Sequence, residues 1–298
     1  MKIIDIYNGK TKAYGIIGNP VDHSFSPVLQ NTIASVCNDN CSYTGFNVES
    51  GHVKKVLEGA FELGYQGFNV TAPHKVEVME CLDGIDEVAE KIGSVNTLKR
   101  TDKGYKGYNT DIIGLAKCFE MNGFSIEGER VIILGAGGAS KAAVVMAAEK
   151  KAKEIYIINR TVEKAEALAE SVRKHYDCKI YAYGYESLKE IENCSYVINT
   201  TSAGMGKGNS TSVIEDTTFF ADKKAVVDIV YVPWETKLLA DAKEKGCVGV
   251  NGFDMLIYQG IASYEIWHDK KIDEKTAKEI RDALAVYYKE KILGDANG

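Results

Sequence analysis

Residues 130–149 of this 298-residue chain bring together the types that handle a phosphate. Val131-Ile132-Ile133-Leu134 reads as a buried strand, Gly135-Ala136-Gly137-Gly138-Ala139-Ser140 as a glycine-rich turn, and Lys141 to Glu149 as an apolar helix. In that order Gly135 permits the tight turn and Gly137 lets backbone approach a pyrophosphate. The start of the helix supplies N–H groups without helical partners and the positive end of its dipole. Ser140 stands at the third glycine position, where a small residue still allows close helix–strand packing. The glycine spacing alone is a weak signal; a strand before it and a helix after it make a dinucleotide site the expectation.

The following strand, Glu154-Ile155-Tyr156-Ile157-Ile158, ends at Asn159-Arg160-Thr161. Proteins selective for NAD usually carry an acid here for the ribose hydroxyls, and a carboxylate would repel a 2′-phosphate. Arg160 pairs with a phosphate bidentately, Thr161 offers a hydroxyl, and Lys164 adds charge three residues further on, which favours NADP. The plain alternative is that Arg160 and Lys164 are solvated surface bases. A second polar cluster lies in Gly18-Asn19-Pro20-Val21-Asp22-His23-Ser24-Phe25-Ser26-Pro27, where two hydroxyls sit two residues apart before a helix. They suit a carboxylate held near that helix start, while Ser26 before Pro27 also reads as an ordinary N-cap.

Apolar runs alternating with amphipathic stretches position these groups, the pattern of parallel strands covered by helices, so the fold class is α/β. The length favours two domains. Ala13 to Gly18, Tyr43 to Val48 and Gly67 to Val70 read as strands, with helices opening at Ser26-Pro27 and spanning His52 to Leu63, a βαβαβ start. The rhythm breaks at a hairpin from Ser94-Val95-Asn96-Thr97-Leu98 to Tyr105-Lys106-Gly107-Tyr108, and Ile112 to Met121 reads as a helix stopped by Asn122-Gly123. The domain crossing is placed there. A Rossmann-type unit then occupies 112–251. The helical tail places Ala277, Ile280, Leu284 and Tyr288 on one apolar face, so 252–298 is expected to complete the first domain, 1–111.

A formal net charge of −6, with 45% hydrophobic and 26% charged residues, describes an ordinary globular chain with no general attraction to nucleic acid or anionic membrane. No stretch approaches the roughly 18 apolar residues that span a bilayer. Met1-Lys2-Ile3-Ile4-Asp5 lacks the pattern of a secretory leader, which makes the cytoplasm the expected location. Seven cysteines, odd in number and without CxxC pairs or nearby histidines, argue against a disulfide framework and a zinc site.

Taken in order, Gly18-Asn19-Pro20 with Ser24-x-Ser26-Pro27, Asn69-Val70-Thr71-Ala72-Pro73-His74-Lys75, Val95-Asn96-Thr97, Asn109-Thr110-Asp111, Gly135-Ala136-Gly137-Gly138-Ala139, Asn159-Arg160-Thr161, Asn199-Thr200-Thr201-Ser202-Ala203-Gly204-Met205 and Met255-Leu256-x-x-Gln259 resemble the shikimate dehydrogenase family. The set runs from about residue 14 to residue 268. The resemblance implies an N-terminal α/β substrate domain and a Rossmann-type NADP domain with a cleft between them. It also implies reversible NADPH-dependent reduction of 3-dehydroshikimate to shikimate, in the biosynthesis of chorismate and the aromatic amino acids.

By that resemblance Ser24 and Ser26 hold the substrate carboxylate, and Thr71, Asn96, Asp111 and Gln259 hold the ring hydroxyls. Lys75 and Asp111 form the catalytic pair, Tyr231 stands near substrate and nicotinamide, and the NADP(H) site comprises Gly135, Ala136, Gly137, Gly138, Ala139, Asn159, Arg160, Thr161, Lys164, Thr201, Met205 and Gly252. The chemistry agrees with these roles. Ketone reduction requires a proton donor at the developing alkoxide, and a lysine ammonium held by a carboxylate supplies charge and proton together. Each residue also has a plainer reading: Lys75 solvated, Asp111 capping the helix from Ile112, Tyr231 and Met205 packed. His23 and His74 are assigned no general-base role; His74 is expected to shape its loop. Many relatives have glycine where this chain has Asp254, an added carboxylate beside the expected cleft. The runner-up is a quinate/shikimate dehydrogenase with broader NAD(P) use, and a non-catalytic NADP-responsive protein is the alternative from another class. The implied partner is the small-molecule substrate, with no nucleic acid, membrane or metal, on a monomer or homodimer.

Overall fold

The computed structural model describes residues 7–206 and 208–293, so Met1-Lys2-Ile3-Ile4-Asp5 lies outside the described residues. The chain forms two compact units. One contains the described residues up to Ile113 together with Ile257–Leu284, and the other Gly114–Leu256 with the described residues from Ala285.

In the first unit the order is β1 (Lys12–Gly18), α1 (Ser26–Val36), β2 (Cys41–Asn47), α2 (Val53–Glu62), β3 (Gly67–Val70), β4 (Gly84–Ile85), α3 (Glu87–Ile92), β5 (Thr97–Arg100) and β6 (Tyr105–Tyr108). The six-stranded sheet runs β2-β1-β3-β5-β6-β4. β1 is parallel to β2 and β3, whereas β5 is antiparallel to β3 and β6. This register decides where chemistry can sit. Gly18 lies opposite Asn47, Ile17 opposite Val70, Asn69 opposite Thr97, and Thr97 opposite Tyr108. The carboxyl ends of β1, β2, β3 and β6 and the first residue of β5 therefore share one edge of the sheet. β3 is buried along its whole length, as a strand covered on both faces must be. One face packs Val53, Leu57 and Ala60 of α2 against Ile17, Phe68, Val70 and Leu98. Burying each larger aliphatic side chain contributes about 1.5–3 kcal/mol.

The second unit takes most of α4 (Asp111–Met121), then β7 (Arg130–Leu134), α5 (Gly138–Glu149), β8 (Glu154–Ile158), α6 (Val162–Arg173), β9 (Lys179–Tyr183), β10 (Tyr196–Asn199), β11 (Ala225–Asp228), α7 (Lys237–Glu244) and β12 (Val248–Asn251). All six strands are parallel in the order β12-β11-β10-β7-β8-β9. Counted from β7, this is the doubly wound 3-2-1-4-5-6 order, with its switch point between β7 and β10. The fold class is thus α/β with a Rossmann-type unit, as expected. Alanine-rich α5 is buried from Ala142 to Ala148, its small side chains allowing close approach to the sheet.

Beyond β12 come α8 (Phe253–His268) and α9 (Glu274–Tyr287). Ala277, Ile280, Leu284 and Tyr288 are all buried, yet the last of them turns to the second unit. The Tyr288 ring packs against Tyr231, Trp234 and Phe253 at 5.4–6.0 Å between centroids, and its hydroxyl donates to the Tyr231 carbonyl at 3.1 Å. The described residues from Ala285 are thus grouped with the second unit, as are 252–256. Among the described residues no helix is long and apolar enough to cross a membrane.

Candidate active site

In the first unit the shared sheet edge gathers polar side chains from four segments. Lys75 lies in the turns that follow β3, where its carbonyl accepts the Val95 N–H at 2.8 Å and so sits beside Asn96. The Lys75 Nζ donates to Asp111 Oδ2 at 2.6 Å, with 22% of the lysine side chain and 9% of the aspartate exposed. Asn96 Nδ2 donates to the other oxygen, Asp111 Oδ1, at 2.8 Å. Asp111 is itself the first residue of α4, with its carboxylate turned to these two partners, and its N–H is satisfied by Asn109 Oδ1 at 3.0 Å. The Asn96 amide has one possible orientation. Its Oδ1 accepts from Thr110 N at 2.8 Å, Thr97 Oγ1 at 3.0 Å and Thr110 Oγ1 at 3.2 Å, so Nδ2 must face the carboxylate, and its second hydrogen has no acceptor among the described residues.

Behind this pair lies a buried web that the sequence reading missed. Asn69 Nδ2 donates towards Ser263 Oγ at 2.9 Å and Thr97 Oγ1 at 3.1 Å, and its Oδ1 accepts from the Tyr43 hydroxyl at 2.8 Å. Ser263 also lies 2.8 Å from Thr97 Oγ1 and 3.1 Å from Thr110 Oγ1, and it donates to the Gln259 carbonyl at 3.0 Å. Gln259 Oε1 lies 3.5 Å from Thr110 Oγ1. One signal was available: polar residues at the ends of otherwise apolar strands are rarely buried without a task.

The loop after β1 is pinned by Val21, whose N–H donates to Asn47 Oδ1 at 2.8 Å. Within it Ser24 Oγ accepts the Ser26 N–H at 3.2 Å. Ser26 is the first residue of α1, and Phe25 occupies the N-cap position without a side-chain cap bond, which removes the N-cap reading of Ser26. Burial pushes the Tyr43 phenol well above its ordinary range, against a pull from the Ser26 side chain. Thr71 follows β3, its N–H bonded to the Ile17 carbonyl at 2.9 Å. His74 is fully buried between the Val48 carbonyl at 2.7 Å and Glu77 at 3.1 Å, a loop-shaping position.

In the second unit Gly135 turns at the carboxyl end of β7 with φ +108°, a conformation that L side chains rarely adopt. Gly137 caps α5, and Gly138 and Ala139 form its first turn. Ser140 is more than a small residue: its Oγ accepts the Gly137 N–H at 3.0 Å and lies 2.6 Å from Thr200 Oγ1, tying the glycine turn to the end of β10 across the switch point. Gly135, Ala136, Gly137, Asn159, Arg160, Thr200 and Thr201 line one cavity of about 1300 Å³. Arg160, Thr161 and Lys164 are exposed, and Thr161, at the N-cap of α6, makes no side-chain cap bond. Among the described residues Arg160 has no ion-pair partner.

Asn199 and Asp228 hold the loops after β10 and β11 together. Asn199 Nδ2 donates to Asp228 Oδ1 at 2.8 Å, and Asn199 Oδ1 accepts from Thr201 N at 3.1 Å and Thr201 Oγ1 at 2.8 Å. Asp228, fully buried with only neutral donors around it, has its pKa pushed up to about 6 by burial, against the pull of Thr236, Val230 and Asn199. Tyr231 follows on this loop, and burial raises its phenol so that it stays protonated. Met205 is 57% exposed, so its packed reading fails. Gly252 donates to the Val230 carbonyl at 3.1 Å, and a Cβ there would sit 1.9 Å from the Ile229 carbonyl oxygen. Asp254 opens α8, and its charge raises the buried Cys118 thiol, after burial itself, to about 12. Among the described residues no cluster of His, Cys, Asp and Glu is arranged to hold a metal.

Three family models match: "Shikimate dehydrogenase substrate binding domain" over residues 16–98, "Shikimate / quinate 5-dehydrogenase" over 117–233, and "Shikimate 5'-dehydrogenase C-terminal domain" over 252–284. The chain is 41% identical over 266 residues to the shikimate dehydrogenase (NADP(+)) of Methanococcus aeolicus, covering 89% of this chain and 95% of that one. It is also similar to a solved shikimate dehydrogenase in complex with NADP+, with TM-score 0.84, 38% identity and 93% and 96% of the two chains covered. A third match is shikimate 5-dehydrogenase from Listeria monocytogenes in complex with shikimate and NAD, with TM-score 0.87, 31% identity and 95% and 99% covered.

Proposed function

Since the chain belongs to the shikimate dehydrogenase family, we propose that it catalyses the reversible NADPH-dependent reduction of 3-dehydroshikimate to shikimate, with Lys75 and Asp111 at the reacting carbon. The observation that carries the assignment of roles is the Lys75–Asp111–Asn96 arrangement. The ammonium lies 2.6 Å from one carboxylate oxygen while an amide occupies the other. With both oxygens engaged the carboxylate cannot rotate, and Nζ is held where it hands a proton to a carbonyl oxygen as that oxygen becomes an alkoxide. In the direction of oxidation the same nitrogen takes the proton back. Asn96 keeps one amide hydrogen for a ring hydroxyl, and Thr71 and Gln259 stand at the same sheet edge to take others. Ser24 and Ser26 hold the substrate carboxylate at the start of α1.

The residues present fit NADP(H). Gly135 to Ala139 offer the turn and helix start that cradle a pyrophosphate, and the cavity lined by Gly135, Ala136 and Gly137 reaches Arg160. An exposed guanidinium without an ion-pair partner among the described residues, beside a hydroxyl not used for capping, suits a 2′-phosphate, with Lys164 one turn further on. Thr201 lines the same cavity, and Met205, Gly252 and Tyr231 are assigned to the nicotinamide end. The cofactor supplies the hydride when bound; the protein supplies position, charge and the proton. Seven free thiols suit a reducing compartment, and we place the enzyme in the cytoplasm as a monomer or homodimer.

The test is NADP+ reduction followed at 340 nm with shikimate and with quinate, each repeated with NAD+. Turnover of shikimate with NADP+ at the highest specificity constant of the four is the expected result. Equal use of quinate and shikimate would replace this reading with a dual-substrate one, and no turnover of either would refute it.

A further inference from the structure

We propose that Asp228 is a positioning residue for the cofactor cradle, acting through Asn199 on the Thr201 loop. The inference rests on the assignment of that cradle to NADP(H). Its basis is the polarity of a buried chain of hydrogen bonds. A carboxylate only accepts, and Asp228 takes Asn199 Nδ2 at 2.8 Å and Val230 N at 3.1 Å on one oxygen and Thr236 Oγ1 at 2.6 Å on the other. That fixes the Asn199 amide, since only Nδ2 has a proton to give. Its Oδ1 is thereby turned to Thr201, accepting both the backbone N–H and the hydroxyl, and Thr201 Oγ1 in turn accepts the Ala203 N–H at 3.3 Å.

The side chain that orders residues 201–203 thus lies on the neighbouring strand and does not line the cavity those residues line. Asn199 and Asp228 are directly opposite in the β10–β11 register, so the connection spans a single pair of strands. An amide with no fixed partner has two orientations of similar shape; a carboxylate beside it leaves one. Burial raises the Asp228 carboxyl to about 6, so the ionised form that accepts all three donors is held against a cost in desolvation.

The experiment is direct titration of NADP+ at pH 8, without turnover, on the full chain and on Asp228→Ala, Asp228→Asn, Asn199→Ala and the Asp228→Ala/Asn199→Ala double variant. Circular dichroism confirms folding. The expected result is a dissociation constant raised roughly tenfold by Asp228→Ala and by Asn199→Ala, with no further rise in the double variant because both break one chain. Asp228→Asn keeps an oxygen for Asn199 Nδ2 and recovers to within about threefold of wild type. Asp228→Ala within twofold of wild type, effects that multiply in the double variant, or no recovery by Asn would each overturn the proposal. Should Asp228→Ala fail to fold, Asn199→Ala decides alone: a value within twofold of wild type overturns it. A wild type that binds no NADP+ defeats the functional reading and this inference with it, whereas a tight-binding wild type with indifferent variants defeats only this inference.

Discussion

The catalytic cluster proposed in the first unit and the phosphate-binding group proposed at the end of β8 are prepared in opposite ways. At the edge of the first sheet Lys75, Asn96 and Asp111 are bonded to one another and backed by Asn69, Thr97, Thr110 and Ser263, so the groups proposed to react are held by the protein itself. At the end of β8 in the second unit, Arg160, Thr161 and Lys164 stand exposed. Proton transfer needs a donor held in place, since misplacement costs rate steeply. Gripping a phosphate needs donors with capacity to spare. Their carboxylates differ in the same sense: Asp111 has an ammonium partner, whereas Asp228 has only neutral donors.

Breaking the fixed side should have the largest effect. Lys75→Ala is expected to lower kcat by roughly a hundredfold or more with a much smaller change in the Michaelis constant for shikimate, because a proton donor acts mainly in the transition state. Steady-state kinetics at saturating NADP+ measure it, and near-normal turnover would remove Lys75 from the chemistry.

The Asp228 contrast is read by stability against pH. Its carboxyl titrates near 6 when folded, above its usual 3.8, so the native state binds the proton more tightly. The stability it contributes is full below about pH 3.8 and is lost as pH rises through 6, a change of about 3 kcal/mol. Urea unfolding of wild type and Asp228→Asn between pH 4 and 7 should show wild type losing up to that amount relative to the variant. A flat difference, or one of opposite slope, would mean that the carboxyl is not desolvated.

On the exposed side, Arg160→Ala should raise the Michaelis constant for NADPH roughly ten- to a hundredfold, the loss of a charge-assisted bond of about 1.5–3 kcal/mol, and leave NADH nearly unchanged. Equal weakening of both cofactors would move phosphate recognition elsewhere. The smallest expected effect concerns Ser24. Quinate carries an additional hydroxyl beside its carboxylate, and burying that group unpaired against the serine loop costs about 1–3 kcal/mol. Ser24→Ala should weaken shikimate use by about tenfold without rescuing quinate; a gain in quinate turnover would show that Ser24 excludes the hydroxyl by bulk.

Much of this comparison was legible in the residues. The βαβαβ start, the glycine turn and the hairpin followed from local pattern, and Lys75, Asn96 and Asp111 lay in motifs whose order carried the family resemblance. What escaped the reading depends on pairing between distant segments. The strand at Gly84–Ile85 is too short to show a period, and α3 after it has a single buried turn. Ser140 was expected to matter for its size, but its hydroxyl bonds Gly137 and Thr200, and residue 200 is a neighbour only because β10 lies beside β7. Ser263 reaches Asn69 and Thr97 across more than 160 residues of sequence. Tyr288 kept its expected helical face but found its partners in Tyr231, Trp234 and Phe253.

The central claim is that Lys75 and Asp111 act as one catalytic unit, and a double-mutant cycle on kcat tests it most directly. Wild type, Lys75→Ala, Asp111→Ala and the double variant are compared for NADP+ reduction by shikimate at saturation. Groups that work as a unit are far from additive, so the double variant should lose no more than about threefold beyond the worse single one. Losses that multiply in the double variant would show two independent contributions and contradict the pair.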